Sequence, residues 1–291
     1  MKAADFIYHR ASSINEAIGY LDDYNGEARL LAGGQSLVPM MNMRLWRPAA
    51  LIDINEIPEL ASFEDHGDVS VVGAMTRYVT IERSPFFAER LPLLARLVRH
   101  IGDRQIRNRG TIGGSLVQGD PSSEMALGCM ALGARVRIVG RLGQREVTMN
   151  EFYHGSYAAA VEPGEIVTAI IFPKHPRYHA FHEVGRRHND FAVLSVVACG
   201  NRSPEGVWSD VVLGLGGVHE TAILVRDVAP YLEGSRFTDR EIEGATISAL
   251  KSVEPPSDMR ASEEYRRHLV SVYVPRVLQK LRSLAQHNER P

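Results

Sequence analysis

Apolar positions along this chain switch between helical and strand spacing, and each switch marks an element. Ile14, Ala17, Ile18 and Leu21 recur at helical spacing behind the capping-box pattern Ser13-Ile14-Asn15-Glu16, which predicts an amphipathic helix over about 13–23. Arg29-Leu30-Leu31 reads as a strand, and Leu37 to Arg44 as a short helix begun by a proline, with its methionines as packing residues. Ala50 to Ile54 and Val69 to Gly73 read as further strands, and the polar stretch Glu64-Asp65-His66-Gly67-Asp68 as the turn between apolar runs and a subdomain joint.

From Thr80 to Ile101 the positions Phe87, Leu91, Leu94, Leu97, Val98 and Ile101 are helical in spacing, with Pro85 and Pro92 dividing the stretch into two pieces. Asp103 to Gly110 carries Arg104, Arg107 and Arg109, which suits a solvated loop or positive charge beside a phosphate or a partner chain. Ser122 to Leu132 reads as an apolar helix leading into a strand, Ala134 to Val139. Glu165 to Phe172 is a strong strand stopped by Pro173-Lys174-His175-Pro176, where the domain boundary is expected. Beyond it come strands at 179–187, 191–201 and 207–217, then a helix from the capping box Thr238-Asp239-Arg240-Glu241 to about 251 and a long terminal helix, Glu263 to Leu284. Three strands followed by helices predict an α+β domain.

Two segments interrupt this pattern in the same way. Ala32-Gly33-Gly34-Gln35-Ser36 follows the first predicted strand, and Thr111-Ile112-Gly113-Gly114-Ser115 follows the arginine-rich stretch; each pairs glycines and closes on a hydroxyl. A phosphate oxygen approaches main-chain N–H groups closely only where no Cβ intervenes and φ is free to turn positive. Hydrogen bonds to a charged acceptor contribute roughly 1.5–3 kcal/mol each, so four or five such donors would hold a diphosphate without a lysine, and neither segment contains one. Taken singly, each glycine pair is equally an ordinary turn. The P-loop pattern is absent, and Gly214-Leu215-Gly216-Gly217-Val218-His219 lacks the last glycine of the dinucleotide fingerprint, so both of those folds are disfavoured.

The 291 residues suffice for two domains, and 44% hydrophobic with 23% charged residues is a globular composition. A net charge of −2 recommends neither nucleic acid nor an anionic membrane as partner. No apolar run reaches the ~20 residues of a membrane span, and Met1 to Asp5 opens no signal peptide, so a cytoplasmic location is expected. Cys129 and Cys199 both sit in apolar contexts and are read as reduced core residues. Two isolated cysteines cannot ligate an iron–sulfur cluster, so any metal centres of an electron-transfer system would belong to another chain. His175, His179, His182 and His188 lie close together but match no metal-site spacing.

At the two glycine segments the sequence resembles the medium, FAD-binding subunit of the molybdenum hydroxylases, the group of aerobic carbon monoxide dehydrogenase and the xanthine dehydrogenases. The resemblance is carried by Ala32 to Pro39, Leu51-Ile52-Asp53-Ile54-Asn55, Ile106 to Ser115, Gly185-Arg186-Arg187 with Asp190-Phe191-Ala192, and Tyr265-Arg266-Arg267-His268-Leu269. It implies an α+β fold: a vanillyl-alcohol-oxidase-like FAD-binding domain (1–176, with subdomains of about 1–57 and 58–176) and a smaller C-terminal domain of a three-stranded sheet with helices (177–291). It further implies that Ala32, Gly33, Gly34, Gln35 and Ser36 wrap the FAD diphosphate together with Thr111, Ile112, Gly113, Gly114 and Ser115. Glu124 would take the place of an acidic ribose or adenosine contact, and Val167 and Phe191 would lie near the flavin. Two positions depart from the pattern: aspartate is commoner at 124, and relatives often carry a lysine where this chain has Glu183. A carboxylate at 183 is expected to make the flavin harder to reduce, or to leave the lysine's role to Arg186 or Arg187.

The implied function is electron relay. A large subunit with a molybdenum–pterin cofactor would oxidise the substrate, a small subunit with two [2Fe–2S] clusters would pass electrons on, and the FAD of this chain would deliver them to an external acceptor, within a dimer of heterotrimers. No side chain is expected to act as a catalytic acid, base or nucleophile. Two other readings compete: a self-sufficient FAD-dependent oxidoreductase, against which stand Gln35 where such oxidases often carry a flavin-tethering histidine and a small final domain, and a non-catalytic nucleotide-binding protein.

Overall fold

The computed structural model describes residues 2–187 and 189–287. The chain forms two compact units, and both are discontinuous in sequence. The first comprises the stretch through Pro85 with Asp103–Gly119 and Ala134–Pro173; the second comprises Phe86–Gly102, Asp120–Gly133 and the chain from Lys174 onward.

The first unit holds two main sheets. One has three parallel strands, with Ala50–Asp53 between Ile7–Arg10 and Ala28–Leu31. Parallel neighbours need crossovers, and the helices Ile14–Asp23 and Leu37–Asn42 lie in the connections. The first helix starts as its capping signal predicts: the Ser13 hydroxyl accepts from Glu16 N–H. Glu16, however, reaches back to the Ser12 N–H and hydroxyl, both at 2.7 Å, so the return half of the box falls one residue early. Ala17, Ile18 and Leu21 are buried with Ala28, Ile52 and Ile57 in one core cluster. The edge strand Ile7–Arg10 carries no alternation of burial and gave no sequence signal.

The other sheet is antiparallel and five-stranded, in the order Phe63–Asp65, Val69–Gly73, Ile166–Pro173, Arg135–Gly140, Gly143–Thr148. Its central strand is buried from Ile166 to Phe172, which is why it reads as an unbroken apolar run rather than an alternating one. The polar turn before Val69 is tightened by Asp65, whose carboxylate accepts from Gly67 N–H where φ is +82°. The stretch 103–110, which suited either a solvated loop or positive charge beside a phosphate or partner, contains a six-residue helix, Arg104–Arg109. Asp103 caps it and Arg107 is paired with Glu82 at 3.0 Å, and so short a helix shows no periodicity in sequence.

The stretch expected as two helical pieces is three short helices, Tyr78–Arg83, Pro85–Arg90 and Pro92–Leu97, because Pro85, at the edge of the first unit, and Pro92, in the second, each open a new one where a missing N–H costs nothing. The C-terminal sheet is antiparallel, in the order Tyr178–Val184, Leu194–Arg202, Trp208–Gly216, Ile223–Leu224. The three expected strands are present, and the sheet has a fourth: Ile223 and Leu224 pair with Leu215 and Gly214, a strand too short to show alternation. The capping box Thr238–Glu241 forms with both halves in place and starts Asp239–Lys251. The terminal helix Glu263–His287 lays Leu269, Val270, Val274, Leu278 and Leu281 on the core that also holds Trp208, stacked on Phe237 at 4.5 Å. Full burial of each such side chain stabilises by about 1.5–3 kcal/mol. Cys129 and Cys199 are free and buried, and burial pushes the Cys199 thiol up to about 12. His182 stacks on Tyr273 and His175 accepts from Leu93 N–H, so these side chains have packing roles, while His188 lies outside the described residues. Among the described residues no helix is long and apolar enough to cross a membrane.

Candidate functional site

Both glycine segments lie in the first unit, and they touch. The strand Ala28–Leu31 ends at Ala32, and the chain passes through Gly33 to Ser36 without regular structure before Leu37–Asn42. A Cβ on Gly33 would lie 2.3 Å from the Arg109 carbonyl oxygen and 3.0 Å from Gly110 Cα; one on Gly114 would lie 3.8 Å from Ala32 Cβ. The backbone entering the second segment therefore runs directly against the first, at a distance only glycine permits. Gly34 is required for a different reason, a φ of +73°.

The segments differ in where their N–H groups point. Thr111 is the N-cap of the helix Ile112–Gln118, so the second segment is a helix start rather than a free turn. Its donors from Ile112 onward are engaged: Ile112 N–H on Thr76 O at 3.1 Å, Gly113 N–H on Ala74 O at 2.8 Å, Gly114 N–H on the Thr111 hydroxyl at 3.1 Å, and Ser115 N–H on Thr111 O at 3.1 Å. Gly113 is buried against Ala74, where a Cβ would come within 2.5 Å of the alanine Cβ. In the first segment, among the described residues, the N–H groups of Gly33, Gly34, Gln35 and Ser36 meet no protein acceptor, and Gln35 and Ser36 are exposed. The donor-rich surface expected of two loops is thus supplied by one, and the other contributes shape.

A polar frame joins the two. Asn55, just past the central strand Ala50–Asp53, donates to Leu31 O at 3.1 Å and Ala32 O at 3.0 Å, while its own N–H donates to Asp53. Arg77 donates through one nitrogen to Asn55 Oδ1 and through another to Arg109 O. Burial raises the Asp53 carboxyl, but hydrogen bonds from Tyr8 and Asn55 outweigh it and leave it below the usual carboxylate range. Burial, and then the charge of Arg109, lower Arg77 from its ordinary value, against the pull of Asp53. Asn55 closes a motif that carried the family resemblance, yet its sequence context suggested no role. Arg77 gave no signal at all, because only the fold brings it between the segments.

The remaining sequence-predicted residues are elsewhere. Val167 belongs to the first unit and is buried in the central strand at a bulge, paired with Ile138. Glu124 and Phe191 belong to the second unit. Phe191 is exposed, with the Arg260 guanidinium 4.5 Å over its ring. Glu124 opens the helix Glu124–Ala131 behind its N-cap Ser123 and is buried. Burial, and then the nearby charge of Glu183, push its carboxyl well above the usual range. The Glu183 side chain is itself only 7% exposed; one oxygen faces His100 Nδ1 at 3.8 Å and the other has no partner among the described residues. Arg186 and Arg187 are exposed. An open cleft of about 470 Å³ in the first unit, lined by Glu59, Glu64, His66 and Arg137, includes neither glycine segment.

Residues 3–175 match the family described as the FAD binding domain in molybdopterin dehydrogenase. The chain belongs to that family. Residues 179–281 match the CO dehydrogenase flavoprotein C-terminal domain. The carbon monoxide dehydrogenase medium chain of Afipia carboxidovorans is 33% identical over 289 residues, 99% of this chain and 100% of that one. The nicotine 6-hydroxylase medium subunit of Paenarthrobacter nicotinovorans is 34% identical over 278 residues, 96% of this chain and 98% of that one. Among solved structures, a chain of the carbon monoxide dehydrogenase from Hydrogenophaga pseudoflava lacking the Mo-pyranopterin moiety superimposes with a TM-score of 0.93 at 34% identity, covering 97% of this chain and 98% of that one. The resemblance read from the two glycine motifs holds over the full chain, and with it an FAD-binding oxidoreductase subunit of the molybdenum-enzyme kind.

Proposed function

We propose that this chain is the flavoprotein subunit of a heterotrimeric molybdenum hydroxylase. In that reading, electrons from [2Fe–2S] clusters of a small partner subunit, released by substrate oxidation at a molybdenum–pterin cofactor on a large partner subunit, leave through FAD to an external acceptor. The flavin supplies the redox chemistry; this chain binds it and sets its surroundings. The medium-subunit names of the relatives and their full-length coverage support a place among several subunits, and the reading puts the trimers in the cytoplasm as a dimer. Matched stretches of 3–175 and 179–281 support a division at 176 into a vanillyl-alcohol-oxidase-like FAD-binding domain and a C-terminal domain.

One observation carries the flavin assignment. Gly33 lies where any side chain would strike Arg109, beside N–H groups at Gly33 to Ser36 that no acceptor takes among the described residues. Ala32 to Ser36 are the donor side of a diphosphate cradle, Thr111 to Ser115 its wall, and Val167, Glu124 and Phe191 are the further cofactor contacts of the reading. Glu124, whose carboxyl burial pushes well above the usual range, would be the contact to a ribose hydroxyl.

The chain purified alone should carry one FAD and show no turnover of small substrates. A Gly34→Val/Gly114→Val double variant should lose the flavin while its C-terminal domain stays folded by circular dichroism. Stoichiometric flavin in that variant refutes the diphosphate assignment, and vigorous turnover by the single chain would establish the self-sufficient oxidoreductase instead.

A further inference from the structure

The glycine segments contain no lysine or arginine, yet the structure brings one cation to both of them. The Arg77 side chain is half-buried, and its guanidinium spans two acceptors that belong to different segments: Arg109 O, which abuts Gly33, and Asn55 Oδ1, whose amide grips Leu31 O and Ala32 O at the entry to the first segment. Backbone reinforces the link, since Arg77 forms an isolated bridge with Thr111 and Tyr78 N–H donates to Gly110 O at 3.0 Å. The charges facing Arg77 are Asp53, itself held by Tyr8 and Asn55, and Arg109. A guanidinium satisfies two divergent acceptors with one rigid plane, which an ammonium cannot do at fixed distance.

We propose that Arg77, anchored by Asn55, is the positioning residue of the cradle. It sets the gap between the two glycine segments and supplies the positive charge that neither segment contains, so that the N–H groups of Gly33 to Ser36 are held open toward a diphosphate. This rests on the reading of the segments as an FAD site, and it adds a cause for their spacing and a preference for ligands with two linked phosphates.

The test uses the full chain, freed of flavin and titrated with FAD, ADP and FMN. Arg77→Gln should weaken FAD and ADP by about ten-fold or more, the scale of a lost charge-assisted contact, and leave FMN, with its single phosphate, within about two-fold. Arg77→Lys, which keeps the charge and loses the fork, should lie between the two and keeps the test open if Arg77→Gln fails to fold. Asn55→Ala should weaken FAD non-additively with Arg77→Gln, because both act through one contact. An equal loss for FMN, FAD affinity unchanged in Arg77→Lys, or strict additivity in the double variant overturns the proposal. If instead the unaltered chain binds neither FAD nor ADP, the flavin reading itself falls.

Discussion

The two glycine segments are near-duplicates as text and opposites as structure. In Thr111 to Ser115 the N–H groups from Ile112 onward are spent inside the protein, Gly113 is pressed on Ala74, and the whole forms the first turn of a helix. In Gly33 to Ser36 the N–H groups meet no acceptor among the described residues, and the backbone is held by its neighbours through Asn55. The difference teaches that paired glycines report close approach and not its purpose. One segment is glycine-rich because a strand end, Ala74, must approach it, the other because its backbone must lie against Arg109 and Gly110.

Substitutions should separate these purposes. Gly33→Ala is expected to have the largest effect, because its Cβ would meet a backbone oxygen at 2.3 Å that cannot rotate away. Overpacking of this kind costs about 1–3 kcal/mol or more, and it should release FAD as well as lower the urea midpoint. Gly113→Ala should lower the midpoint about as much through the clash with Ala74, while the fraction that remains folded keeps its flavin affinity within a few-fold. If both variants lose flavin equally at matched stability, the division into donor and wall fails. Gly34→Ala should cost about 1–2 kcal/mol from its left-handed φ alone, checked by chemical denaturation. Thr111→Ala should cost only about 1 kcal/mol, an N-cap loss, with little change in FAD affinity.

The Glu124–Glu183 pair gives a comparison of the same form in the second unit. A first-turn glutamate suits a helix dipole or a ribose hydroxyl on sequence grounds, but here it is buried against a second carboxyl. Its folded value lies above its ordinary 4.5, so the folded state binds the proton more tightly than the unfolded one. The stability this contributes is complete below the ordinary value and is lost as pH rises through the raised one. Glu124→Gln, which keeps the donor and cannot ionise, should therefore flatten the fall in stability with rising pH. Its advantage over the unaltered chain should be larger at pH 8 than at pH 5 in parallel denaturant titrations. An equal difference at both pH values would mean that the carboxyl is ionised throughout.

Much of the fold was legible before any coordinates. Ser13, Thr238 and the prolines at 85 and 92 mark helix starts through local hydrogen bonding and the missing proline N–H, both set within a few residues. The central strand Ile166–Pro173 announced itself because burial on both faces demands an unbroken apolar run. Harder to read were the short pieces, Ile7–Arg10, Arg104–Arg109 and Ile223–Leu224, whose few residues cannot display a period.

By itself, the sequence determined that two glycine pairs exist, that neither segment contains a lysine, and that the chain belongs with FAD-binding subunits. Tertiary structure alone decided that the pairs touch, that the N–H groups of Gly33 to Ser36 meet no acceptor among the described residues, that Arg77 stands between them, and that Glu124 lies near another carboxyl. The physical reason is range. Capping, helical period and turn chemistry act over a few neighbouring residues and leave their mark in local order, whereas the fate of an N–H, a charge or a Cβ depends on whichever distant backbone the fold lays against it.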